Sequence, residues 1–167
     1  MENLSEPQDS PVEIRYAQRE DVPFILQMIR ELAEYEQALD EVHATEQLLE
    51  HSLFDDKTAE CLIANLHGSP RGIAVFFTNF STWEGIGGLY LEDIYVQESA
   101  RRYGLGLALM KALCAIALER GYKRLDWACL EWNKPSLAFY HSLGGIAHPE
   151  WLPHRLDHDA MSRLLAR

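Results

Sequence analysis

Hydrophobic positions along the chain change period several times, and each change marks an element. Val12-Glu-Ile-Arg-Tyr16 alternates and predicts a strand. From Val22, the apolar residues Phe24, Ile25, Met28, Ile29 and Leu32 recur at helical spacing. That predicts a helix to about Tyr35, capped by Asp21 and with Pro23 in its first turn. Residues 40–44 read as a loop, after which Thr45 is placed to cap a second helix through Leu48, Leu49 and Leu53. Residues 59–66 and 72–80 are strongly apolar and predict an antiparallel hairpin, turning at His67-Gly-Ser-Pro70, with its second strand central. A link at residues 81–88, ending in Gly87-Gly88, leads to a strand over residues 89–96.

Beyond it, Leu105, Leu109, Ala112, Leu113 and Ile116 share one helical face that stops at Arg120-Gly121. Residues 124–130 predict a strand, and Pro135 opens a short helix that stops at Gly144-Gly145. Residues 151–156 predict a final strand and residues 157–165 a last helix. This order describes an α/β domain with a mixed sheet and a single strand–helix–strand crossover.

Composition narrows the setting. The first 11 residues are polar and acidic and read as a disordered leader, leaving residues 12–167 as a single domain with a real core. No apolar run is long enough to cross a membrane. The net charge of −11 argues against a nucleic-acid partner and fits either a small cationic substrate or solubility alone. Cys61, Cys114 and Cys129 are widely spaced in apolar runs, so they read as buried thiols of a reducing, cytoplasmic compartment. His154 and His158 lack a third ligand, and no metal site is expected. The acids Glu31, Glu34 and Glu36 crowd a helix C-terminus, where the dipole opposes them, either as a solvated face or as part of a site.

The chemistry gathers around one strand. Glu92 and Asp93 sit inside it, where acids are disfavoured. A basic run then enters Gly104-Leu-Gly106 and a helix begins. Unpaired N–H groups and a positive dipole make such a helix start an anion site, and the glycines admit the ligand closely. A P-loop would need Gly-Lys-Ser/Thr, which is missing, and a dinucleotide fingerprint would need a third glycine where Leu109 stands. Arg101-x-x-Gly104-x-Gly106 remains.

That motif resembles the pyrophosphate site of the GNAT acetyltransferases. The strand Leu-Tyr-Leu-Glu-Asp93 and Glu131-Trp-Asn-x-Pro-Ser-x-x-Phe-Tyr140 extend the likeness to the spermidine/spermine and thialysine acetyltransferases. The resemblance implies a GNAT fold, with a mixed, mostly antiparallel sheet and splayed central parallel strands, and acetyl-CoA as cosubstrate. Backbone groups of Ile94, Tyr95 and Val96 would pair with the pantetheine arm as if it were a strand. Arg101, Arg102, Tyr103, Gly104, Leu105, Gly106 and Leu107 would form the pyrophosphate turn, and Asn133 and Ser136 would touch the CoA end of the crevice. Tyr140 matches the general acid and also borders the cofactor. Tyr35, Glu36 and Glu92 match residues of the amine cleft, with Asp93 beside them. Asp126 and Trp127 would form a bulkier wall of that cleft, and Glu150 stands where the family carries a tail carboxylate. A homodimer is implied by the resemblance alone.

A primary ammonium has a pKa near ~10.4, so roughly one molecule in a thousand is nucleophilic at neutral pH. Glu92 could attract the cation and accept its proton, directly or through water, while Tyr140 protonates the departing thiolate. Cys129 could instead carry the acetyl group, but no neighbouring cation in the sequence activates it, and an inert thiol is the plainer reading. Three functions therefore stand: an acetyltransferase for small cationic amines, one acting on a protein lysine or N-terminus, and a CoA-binding module without catalysis.

Overall fold

A computed structural model describes residues 11–167, so the expected leader lies almost wholly outside the described residues. The chain forms two compact units, one ending at Ala128 and the other running from Cys129 to Arg167.

The first unit is built on a five-stranded sheet in the order β1 (Val12–Tyr16), β2 (Glu60–Leu66), β3 (Ser69–Ser81), β4 (Ile86–Val96) and β5 (Leu125–Trp127). The first four strands are antiparallel, β4 and β5 are parallel, and β3 is central. Side chains alternate across the pleat. Cys61, Ile63 and Ile73 point to one face, where Ile25 and Met28 of helix α1 (Val22–Tyr35) close over them. Leu62, Ala64, Ala74, Phe76, Leu89 and Leu91 fill the other face, under Leu105, Leu109 and Leu113 of helix α3 (Leu105–Glu119). Burying each of these larger side chains contributes about 1.5–3 kcal/mol. Helix α2 (Glu46–Glu50) runs into a π-helical turn at His51–Asp55, which adds Leu53 to the α1 face of the core.

Several expectations change for local reasons. Asp21 does not cap α1 with its side chain. Its carboxylate turns back to Arg15, at 2.6 and 2.8 Å, and to the Gln18 N–H at 2.7 Å, so its pKa is lowered chiefly by Arg15. Gly87 and Gly88 lie inside β4 instead of bounding it. A Cβ on Gly87 would fall 2.8 Å from the Tyr122 ring and one on Gly88 2.6 Å from Asn79 Oδ1, so close packing requires glycine there. The strand expected at residues 124–130 shrinks to Leu125–Trp127. Of the thiols only Cys61 is buried, its pKa pushed up to about 12 by burial; Cys114 is exposed and Cys129 intermediate.

The second unit holds helices α4 (Lys134–Ser142) and α5 (His158–Leu165). Asp157 caps α5 by accepting from Ala160 N–H at 2.7 Å. Residues 151–156 form no strand: the segment is irregular and exposed, and Pro153 lacks the N–H a ladder needs. Among the described residues, no helix is long and apolar enough to cross a membrane.

Candidate active site

Strand β4 carries one irregularity, and the site depends on it. Phe76 faces Leu91 and Val75 faces Asp93, so Glu92 has no counterpart on β3 and forms a β-bulge. The extra residue shifts the phase of everything after it. Leu89 donates its N–H to Arg124 on the β5 side at 3.2 Å, whereas Gln97 donates to Arg71 on the β3 side at 2.9 Å. Without the bulge, these two odd-numbered residues would face the same edge. Tyr95 turns its carbonyl toward Gly72 of β3, and Ile94 and Val96 therefore aim their backbone groups at the opposite edge. Pairing with β5 covers only Leu89, Tyr90 and Leu91, and among the described residues no strand pairs with that edge beyond them.

The same shift gathers side chains on the α1 face. Asp93 lies opposite Val75 and Tyr95 opposite Ile73. Asp93 has its pKa raised to about 6, first by burial and then by the charges of Glu92 and Glu36. Glu36, just past the end of α1, is raised by burial. Tyr90 is raised by burial and then by Glu92 and Asp126. Among the described residues, no ion pair joins a cation to Glu36, Glu92 or Asp93. Such a cluster is costly unless a cation enters it. Asp126 differs: Arg124 Nε lies 2.9 Å away, and Asn79 donates to it at 3.3 Å. Its charge is already met within the fold.

At the far end of β4 the chain makes a short 3-10 turn at Glu98–Ala100 and enters the glycine stretch. Arg102 has φ of 72° and Gly104 of 85°, so two left-handed residues bend the backbone just before α3. A non-glycine residue in that region carries strain of the kind found at functional loops. The first bond of α3 runs from Ala108 N–H to the Gly104 carbonyl at 2.9 Å, leaving the N–H groups of Leu105, Gly106 and Leu107 at the helix mouth. No side chain caps this start, and its first turn has no acid. Helices α2, α4 and α5 are instead capped by Thr45, Asn133 and Asp157. Tyr103 and Leu107 are exposed beside the mouth. Arg101 is turned away, its guanidinium over the rings of Tyr35 and Tyr95.

The chain matches the model of the acetyltransferase (GNAT) family over residues 25–144. It belongs to that family. The GNAT chain is 34% identical to the thialysine N-epsilon-acetyltransferase of Bos taurus over 93% of its length and 98% of the relative's. It is 32% identical to the human spermidine/spermine N(1)-acetyltransferase-like protein 1, over 80% of this chain and 20% of that protein. An integron cassette protein from the V. cholerae mobile metagenome shares the fold with a TM-score of 0.79 and 27% identity, covering 95% of this chain and all of that one. The protein is an N-acetyltransferase acting on amines.

The second unit holds the remaining expected residues. Asn133 is buried and its Oδ1 accepts from Ser136 N–H at 3.3 Å, so these two form the cap of α4. Tyr140 lies on α4 with its ring 5.5 Å from that of Phe139. Glu150 is exposed, and its pKa is lowered first by a backbone hydrogen bond and then by His148, 3.2 Å from its carboxylate. Sequence reasoning missed Tyr90, although its alternation with Glu92 along the strand is a usable signal. It also missed Arg124 and Asn79, whose quenching of Asp126 needs the cross-strand register.

Proposed function

We propose that the protein transfers an acetyl group from acetyl-CoA to the primary amine of a small cationic substrate, such as a diamine, polyamine, thialysine or lysine-like molecule. The acid cluster at the β4 bulge carries this reading. Glu36, Glu92 and Asp93 together offer more negative charge than one ammonium needs, which favours a substrate with a second cationic centre. The names of the thialysine and spermidine/spermine relatives support the same class.

In this reading the backbone of residues 102–107 holds the pyrophosphate, and Ile94, with the N–H of Val96, serves the pantetheine arm, while the Val96 carbonyl accepts from Arg101 Nε. Glu92 draws in the ammonium and accepts its proton. The free amine attacks the thioester carbonyl, and the tetrahedral intermediate collapses with loss of the C–S bond. Tyr140 protonates the leaving thiolate, and the second proton of the attacking nitrogen restores the Tyr140 phenol. Transfer is direct within a ternary complex. In this reading the acetyl group does not pass through Cys129. A single domain over residues 12–167, working as a cytoplasmic homodimer, completes the proposal; the dimer rests on the family alone.

The test is to incubate pure protein with acetyl-CoA and a panel of amines, following free thiol and product mass. Thiol release with dicationic amines and none with lysine-containing peptides supports the proposal. Release only with peptides favours a protein acetyltransferase. Binding of CoA without release from any amine favours a binding module.

A further inference from the structure

Arg101 opens the glycine motif, yet its side chain leaves the turn. Its guanidinium carbon lies 5.7 Å from the centre of the Tyr35 ring and 5.9 Å from that of Tyr95. Its Nε donates to the Val96 carbonyl at 3.3 Å, and its backbone N–H donates to the Glu98 carbonyl at 3.2 Å. Tyr35 ends α1, while Tyr95 and Val96 end β4. One side chain therefore joins the end of the helix to the last rung of the strand. A guanidinium suits the place because its flat face stacks on aromatic rings while an N–H bonds within its plane. Tyr35 precedes Glu36, whose carboxylate acts on Asp93. What holds Tyr35 consequently also bears on the acid cluster.

Resting on the acetyl-CoA reading above, we propose that Arg101 is a positioning residue for the amine cleft, fixing Tyr35 and the Val96 rung, and that its side chain does not bind the pyrophosphate. The guanidinium's approach to the two rings and its Nε bond are contacts to protein groups, which leaves the backbone of the turn to serve the phosphates. Removing the guanidinium would then loosen the α1 end against β4 and weaken amine binding. It would leave the grip on the phosphates intact.

The experiment compares wild type, Arg101→Met and Arg101→Lys with two acetyl donors, acetyl-CoA and S-acetylpantetheine, which carries the thioester arm without the pyrophosphate. Expected for Arg101→Met is an amine KM raised about ten-fold with either donor, and a donor KM that shifts by about two-fold at most and by the same factor for acetyl-CoA and S-acetylpantetheine, since both share the Val96 rung. Arg101→Lys keeps the charge but not the planar N–H, and is expected to recover little of the loss. Tyr35→Leu is expected to lose a similar amount, and the Arg101→Met/Tyr35→Leu double variant to lose less than the sum. A loss seen with acetyl-CoA and absent with S-acetylpantetheine would overturn the inference, because it would assign the guanidinium to the phosphates. Full rescue by lysine, or additive losses with Tyr35→Leu, would overturn it too. A wild-type protein that releases no thiol from acetyl-CoA with any amine overturns the proposed function, and this inference with it.

Discussion

The glycine turn beyond Val96 and the acidic stretch around Glu92 belong to one continuous strand and its exit, yet they are made of different material. The turn is backbone: two left-handed residues and three outward N–H groups at a helix start that no side chain caps. Its chemistry depends on conformation and hardly at all on which side chains are carried. The acidic stretch is side-chain charge, concentrated by a bulge and by the end of a helix from elsewhere in the chain. A backbone device suits a ligand that is the same throughout a family. A charged cluster can be retuned one residue at a time, which suits a substrate that differs among relatives.

Replacing side chains at the acid end should therefore disturb the amine and leave the donor alone. The largest expected effect is for Glu92→Gln, which keeps the shape and removes the base: kcat/KM for the amine should fall about 100-fold or more, read by thiol release. An unchanged rate at saturating amine would remove Glu92 from proton transfer. Tyr140→Phe should lower turnover about ten-fold with both KM values little altered, and unchanged turnover would rule out its role as the acid. At the glycine end, Gly104→Ala has room for its methyl but must adopt a φ of 85°. It should raise the KM for acetyl-CoA about ten-fold and cost about 1 kcal/mol of stability.

The smallest effect is a matter of pH. Native Asp93 takes up its proton near pH 6, whereas an aspartate in the unfolded chain does so near ~3.9. Between those values the native state holds the extra proton, so this group's contribution to stability declines as pH rises from about 4 to about 6 and then levels. Activity runs the other way. Below about pH 6 Asp93 loses its charge, and amine kcat/KM should fall more steeply than the substrate's own protonation requires. Asp93→Asn should abolish both features, and a pH profile identical to wild type would show that Asp93 does not titrate in this range.

Much of this strand was legible in the sequence, for reasons that differ along it. The hydrophobic alternation of β1, the 3.6-residue period of α1 and the apolar hairpin are local patterns, and each element forms where its pattern lies. The glycine turn is likewise local, since a left-handed residue before a helix leaves its mark in the amino acid used. The bulge left none. Whether Glu92 is paired or extruded depends on the register of β3, a non-local property. Gly87 and Gly88 read as a boundary, when what demands them is the approach of Tyr122, from the loop after α3, and of Asn79 on β3. Asp21 before a helix resembles a cap, and only the fold brings Arg15 near enough to claim it. Residues 151–156 carry Trp151, Leu152 and Leu156 and suggest a strand, but a strand also needs a partner edge, which no local pattern supplies.

In the proposed division of labour, backbone at the turn holds the donor and carboxylates at the bulge hold the amine. The most direct test is to measure both KM values in Gly104→Ala and in Glu36→Gln. A crossed result is expected: Gly104→Ala raises the KM for acetyl-CoA and spares that of the amine, while Glu36→Gln raises the KM for the amine and spares that of acetyl-CoA. If both variants raise both constants alike, the division does not exist.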